Sequence, residues 1–290
     1  MSSQVVQRLS ISTIMDDTAG LPGVRAEHGA SMLVETPEAA VLLDCGASPL
    51  MCRNAPALGV DLSGLSAIAL SHGHYDHTGG LAAILKRVAR RPIPIHSHPS
   101  AIEKKYNERD GRLYPIGMKI SAQRIAELGG DLRLSTEPVE VVPGVWTSGE
   151  IPRCHGPEAL SPGFRTMRNG RIEADHVLDD QFLWARTPGG LVAVFGCCHS
   201  GLENSLHHLI DISGDDRIRL IVGGLHLLNV PPAETGALAA RIAGFNPEAI
   251  VAGHCTGFQA SAALVVDLPG KVFRNDVGTR IQVGTEVKIV

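Results

Sequence analysis

The sequence predicts an α/β fold in which buried strands alternate with helices and polar residues collect along one sheet edge. Three observations lead there. Four apolar runs each end in small residues and a histidine, with helical patterns following. The 290 residues are 44% hydrophobic and 19% charged, which permits a sizeable core and excludes general disorder. Histidines number thirteen, many of them in short clusters beside glycine.

Taken in order, residues 4–14, 31–35 and 40–44 read as strands, with Thr36-Pro37-Glu38 as a hairpin turn. Residues 67–70 form a buried strand that runs into Ser71-His72-Gly73-His74-Tyr75-Asp76-His77. Leu81, Ile84, Leu85 and Val88 then follow at helical spacing. Residues 96–130 are more polar. Punctuated by Gly111 and Gly117, they read as polar helices forming an insertion or lid within a single domain of residues 1–290. The Gly- and Pro-rich stretch 144–170 reads as a loop excursion. Residues 191–195 lead into Gly196-Cys197-Cys198-His199, with Leu202, Leu206 and Leu209 helical beyond. Residues 218–222 lead into Gly223-Gly224-Leu225-His226, and 249–252 into Gly253-His254-Cys255-Thr256-Gly257. If these strands share a sheet, loops spanning residues 72 to 254 meet at one edge.

Several function classes are excluded. A net charge of −4 offers no basic footprint for nucleic acid, and 4% aromatic residues offer no base-stacking platform. No apolar run approaches the roughly 18 residues of a spanning helix, and residues 1–10 carry no apolar signal core. A soluble, cytoplasmic protein with a small-molecule substrate is expected. The six cysteines form no regular framework, and adjacent Cys197 and Cys198 read as reduced thiols.

The strongest signal is His72-Gly73-His74-Tyr75-Asp76-His77. Four potential ligands within six residues exceed what one tetrahedral ion can take from a tight loop, so the motif suits two nearby ions. Imidazoles with one carboxylate point to one or two divalent ions, zinc first, with manganese or iron as alternatives.

That loop resembles the metal loop of the metallo-β-lactamase fold superfamily, His-x-His-x-Asp-His. Within it, Glu27-His28-Gly29-Ala30-Ser31, Leu43-Asp44-Cys45-Gly46, Gly149-Glu150-Ile151-Pro152-Arg153, Cys197-Cys198-His199-Ser200-Gly201 and Gly253-His254-Cys255-Thr256-Gly257 resemble the dihydropterin-methyl-ribofuranosylaminobenzene phosphate synthase branch. The resemblance covers nearly the whole chain and implies a four-layer αββα sandwich with metals at one edge. Carried over, it implies that His72, His74 and His199 hold a first ion and Asp76, His77 and His254 a second. Asp44 is then a carboxylate bracing the metal loop. Two positions depart from the superfamily pattern. Many members take a ligand from a histidine between the metal loop and the later strands, where this chain offers His155 as the alternative to His199. Many also carry a bridging Asp where Gly196-Cys197 stands, which leaves Cys197 as a further ligand or a packed thiol.

Ions held this way bring bound water towards a neutral pKa and polarise an ester or phosphoryl oxygen. Asp76 would orient the water and His226 would protonate the leaving group. Arg153 and His28 are the expected substrate contacts. The leading expectation is a hydrolase that uses metal-bound hydroxide on a small anionic phosphoester, lactone or other ester. The branch implies an alternative, condensation of a pterin-methyl diphosphate with an arylamine ribosyl phosphate. A non-catalytic metal-bound sensor is a third reading. No P-loop, nucleotide fingerprint or Gly-x-Ser-x-Gly elbow is present.

Overall fold

The computed structural model describes residues 4–158 and 160–290; residues 1–3 of the leading stretch and residue 159 of the 144–170 excursion lie outside it. One sheet has eight strands in spatial order Val287–Ile289, Arg280–Val283, Leu9–Met15, Ser31–Glu35, Ala40–Leu43, Ala67–Ala69, Ile93–Ser97 and Gly130–Leu134. A second has seven, in the order Val272–Arg274, Ala249–Gly253, Ile218–Gly224, Gly190–Phe195, Phe182–Thr187, Val145–Thr147 and Glu140–Val142.

Side-chain alternation explains why the two sheets stack. In Gly190–Phe195, Val192 and Val194 point between the sheets, where they join Val41, Leu43, Ala67 and Ala69 of the other sheet. Leu191, Ala193 and Phe195 point outward, onto Leu206 and Leu209 of the helix Leu202–Ser213 and Leu264 of the helix Phe258–Asp267. On the other sheet, Leu42 and Ile68 point outward onto Met51, Leu81 and Leu85. Both faces of each sheet are therefore apolar, and a one-residue register slip would exchange the two sets. The result is the αββα sandwich. No helix among the described residues is long and apolar enough to cross a membrane.

Register also gathers the site. Met15 pairs with Ser31, Met32 with Leu43, and Leu43 with Ala69, so one edge receives the ends of three strands and the start of a fourth. In the second sheet, Phe182 pairs with Phe195 and Phe195 with Gly223, while Gly224 pairs with Gly253. The residues just before Phe182 therefore reach the same edge as Cys197, His226 and His254.

The helical reading of 96–130 is corrected. Lys104–Arg109 and Arg112–Pro115 form a hairpin that pairs with a second one, Phe164–Arg168 and Arg171–Ala174, in a small four-stranded sheet. Only Ala122–Glu127 is α-helical there, beside a 3-10 turn at Pro99–Ile102. The turns are Asp110-Gly111 and Asn169-Gly170, all four residues at positive φ, as a two-residue hairpin turn requires. The hairpin's inward positions include Lys105 and Asn107, so polar residues concealed its period-two pattern. The 144–170 excursion likewise contains the strands Val145–Thr147 and Phe164–Arg168, and the first strand starts at Leu9 rather than residue 4.

Candidate metal centre and cleft

Strand ends deliver the imidazoles in two sets held by different means. His77 Nδ1 lies 2.7 Å from Asp44 Oδ2, and His254 Nδ1 lies 2.7 Å from Asp17 Oδ1. Each ring then presents Nε2 to Cys197 Sγ, at 3.2 and 3.3 Å. Asp76 Oδ2 stands 3.4 Å from His77 Nε2 and 3.7 Å from His254 Nε2. Asp44 also accepts from the backbone N–H and hydroxyl of Ser71, at 2.7 and 2.6 Å. A Cβ at residue 196 would collide with Ser71 Oγ and Asp44 Oδ2, so that position must be glycine.

In the second set, the rings of His72 and His74 meet a hydroxyl and each other. His72 Nδ1 lies 3.0 Å from Ser71 Oγ, and His72 Nε2 lies 3.0 Å from His74 Nδ1. His199 packs against both, with ring centroids 4.8 and 5.2 Å away. Here the carboxylates hold backbone instead. Asp179 Oδ2 accepts from Gly73 N at 2.7 Å, and Asp180 Oδ2 from Ser200 N at 2.7 Å. Gln181 donates to Leu70 O and Ser71 O through its side chain and backbone. Lys105 Nζ, fully buried, reaches Asp179 and Asp175, each at 2.8 Å, and ties the small sheet to the metal loop.

Electrostatics separates the two sets. Burial, reinforced by the neighbouring imidazoles, holds His72 well below the usual histidine range; burial brings His74 to about 4, with Asp76 opposing and Lys105 adding. Burial opposes the charged form of His77 as well, yet Asp76 and Asp44 raise it well above that range. For His254, burial is outweighed by Cys255 and Asp17, which lift it to about 9. Burial would raise Asp76, but His77 and His254 hold it well down. Burial pushes the Cys197 thiol up, and Cys255, Asp76 and Asp180 add to it. Asp44, Cys198, His226 and His254 all take left-handed backbone, a strain of order 1–3 kcal/mol each that the surrounding hydrogen bonds sustain.

The donors fit divalent ions. His72, Cys197 and His199 each offer an atom within 4.8 Å of the others, and so do His77, Cys197 and His254. Cys197 thus belongs to both groups, at the position between them. His74 Nε2 is buried with no hydrogen-bond partner among the described residues, and the carboxylate-held Nδ1 atoms of His77 and His254 fix which nitrogen each presents. Nitrogen, thiol and one carboxylate suit zinc-like cations.

These groups floor a cleft of about 550 Å³ that His28, Tyr75, Asn107, Arg109, Phe164 and Leu228 also line. His28 bridges Asp17 (3.0 Å) and Asp76 (3.4 Å). His226 packs on His199 at 4.2 Å and forms a further group with Cys197 and Cys255. His155 is elsewhere, exposed and stacked on His207. Arg153 is committed to Val177 O and Ser200 Oγ and does not line the cleft. Sequence reasoning missed Asp16, Asp17, Lys105 and the Asp179-Asp180-Gln181 run. Asp16, lifted to about 7 by burial, accepts from the His254 backbone N–H.

A sequence profile of the Metallo-beta-lactamase superfamily matches residues 24–165. The chain is 31% identical over 266 residues to 7,8-dihydropterin-6-methyl-4-(beta-D-ribofuranosyl)-aminobenzene-5'-phosphate synthase of Methanocaldococcus jannaschii, covering 88% of this chain and 90% of that one. In structure it is similar to Tm1679, described as a metal-dependent hydrolase of the beta-lactamase superfamily. The TM-score is 0.81 at 28% identity, over 95% of this chain and 99% of that one. YhfI of Bacillus subtilis shares the fold, with a TM-score of 0.57 at 14% identity over 96% and 100% of the two chains.

Proposed function

The chain belongs to the metallo-beta-lactamase superfamily, and from that premise we propose that it is a metal-dependent hydrolase of a small anionic phosphoester, lactone or other ester. The observation that carries this reading is the convergence of His74, Asp76, Cys197, His199 and His254 on the lining of a cleft, with His72 and His77 buried against them. Divalent ions bound there would supply an activated water and Lewis-acid polarisation of the scissile group.

The chain's own residues complete the chemistry. Asp76 lies between His77, His254 and His28, where its carboxylate can hold an attacking water in line. His226 lines the cleft beside His199, at the proper place to protonate a leaving group. Phe164, Leu228 and Val230 give the cleft an apolar share of its lining. Arg153 supports the His199 loop through Ser200 rather than meeting substrate. Partners are taken to be small molecules, without nucleic acid or membrane.

Protein loaded with Zn²⁺ or Mn²⁺ should turn over at least one member of a panel of phosphoesters, lactones and thioesters, and a chelator should abolish that turnover. No cleavage across the panel would overturn the proposal. The 31% identical synthase favours a second reading, condensation of a pterin-methyl diphosphate with an arylamine ribosyl phosphate. Diphosphate release from that substrate pair, with no ester cleavage, would establish it instead.

A further inference from the structure

The small four-stranded sheet is built as a graded wall. Lys105, Asn107 and Arg109 alternate onto one face of their strand, roughly 7 Å apart at two-residue spacing. The inner end is anchored: Lys105 is buried between Asp175 and Asp179, Gly117 bridges to His74, and Tyr75 N donates to Ile116 O. The middle rung is Asn107 opposite Phe164, whose ring meets His74 and His199 edge-on at 5.1 and 5.6 Å. The outer rung is Arg109, which is exposed and lines the same cleft as Asn107 and Phe164.

Arg109 differs from its neighbours in having nothing to bind. Arg165 pairs with Glu108, Arg168 with Glu103, and Arg153 with Val177, Ser200 and Glu158. Among the described residues, Arg109 makes no side-chain hydrogen bond or ion pair, and no other lysine or arginine lines the cleft. Its cross-strand partner is Arg112, a like charge that weakens a hairpin unless an anion offsets it. An exposed, unpaired guanidinium that lines the cleft suits an oxyanion.

We propose that Arg109 binds a terminal carboxylate or phosphate of the substrate, remote from the reacting ester. The ester lies at the His74 and His199 end, a single ring rests on Phe164 beside Asn107, and the anionic tail reaches Arg109. The rung spacing sets the tail roughly 7–14 Å from the reacting group. This proposal names the substrate class of the site and rests on the hydrolase reading above.

The test uses zinc-loaded protein and three non-hydrolysable aryl phosphonates sharing one ring, with a para hydrogen, carboxylate or phosphonomethyl group. Binding is measured by calorimetry. Wild type should bind one or both tailed compounds at least tenfold more tightly than the tail-less one, and the stronger tail identifies the oxyanion. Arg109→Ala should erase that preference while leaving tail-less binding within twofold, and Arg109→Lys should retain part of it. With the corresponding esters, Arg109→Ala should raise KM for the tailed substrate and leave kcat nearly unchanged. Equal affinity of wild type for all three compounds, or a preference that survives Arg109→Ala, overturns the proposal. So does an equal loss in Arg112→Ala, which would signal general charge rather than contact. If no ester is cleaved but the tail preference and its loss in Arg109→Ala persist, the hydrolase reading fails and the anion site stands.

Discussion

The two halves of the candidate metal centre draw on the same kind of residue in opposite ways. Around His77 and His254, carboxylates grip the imidazole rings themselves. Around His72, His74 and His199, carboxylates grip the backbone that carries the rings, through Gly73 and Ser200. Ring bracing fixes the tautomer and makes the imidazole a better electron donor. Backbone bracing fixes position without a carboxylate bonded to the His74 ring, which burial brings down to about 4 although Asp76 and Asp179 oppose the shift.

The largest effect should come from breaking the backbone side. Lys105→Met leaves Asp175 and Asp179 buried without their cation, so urea unfolding should show a loss of about 3–5 kcal/mol. Adding Asp175→Asn and Asp179→Asn should recover most of it; an unchanged midpoint in the single variant would contradict the clamp. The ring side should respond in metal affinity instead. Asp44→Asn should weaken ion binding about 10–100-fold in a chelator competition. Asp17→Asn should sit at the low end of that range, because the Asp17 side chain is 32% exposed and Asp44 is not exposed at all.

The smallest effect sharpens the contrast with an imidazole that has neither kind of brace. His96 lies in the strand Ile93–Ser97, its Nε2 without a hydrogen-bond partner among the described residues. Burial, with Arg133 adding, lowers it to about 4 against 6.5 for a free histidine. The unfolded chain therefore takes up a proton that the folded chain refuses. The His96 contribution to stability is complete above pH 6.5 and erodes as pH falls from there towards 4. His96→Asn should flatten that part of the pH profile of the urea midpoint.

Much of this was open to a reading of residue order. His72, His74, His77, His199 and His254 announce themselves because a buried strand, a small residue and an imidazole are contiguous. The αββα layering was implied by resemblance to a known superfamily. Asp179, Asp180 and Gln181 were hidden for a physical reason. They precede Phe182, and only the antiparallel pairing of Phe182 with Phe195 brings the start of that strand to an edge otherwise made mostly of strand ends. Asp16 and Asp17 follow the logic already applied to Asp44, but the first strand was ended one residue short of Met15. The Asp110-Gly111 and Asn169-Gly170 turns were visible as hairpin signals; the polar inward face of Lys104–Arg109 masked them.

Because Lys105 sits on the small sheet while its partner Asp179 clamps Gly73, the covering hairpins are not an interchangeable cassette. A graft from another protein would strand two carboxylates beneath the loop of residues 72–77 unless it supplied a cation at that depth. Diversification of such a chain is thereby steered outward along the strand, to positions 107 and 109, where exchange of a side chain can retune selectivity without disturbing the foundation.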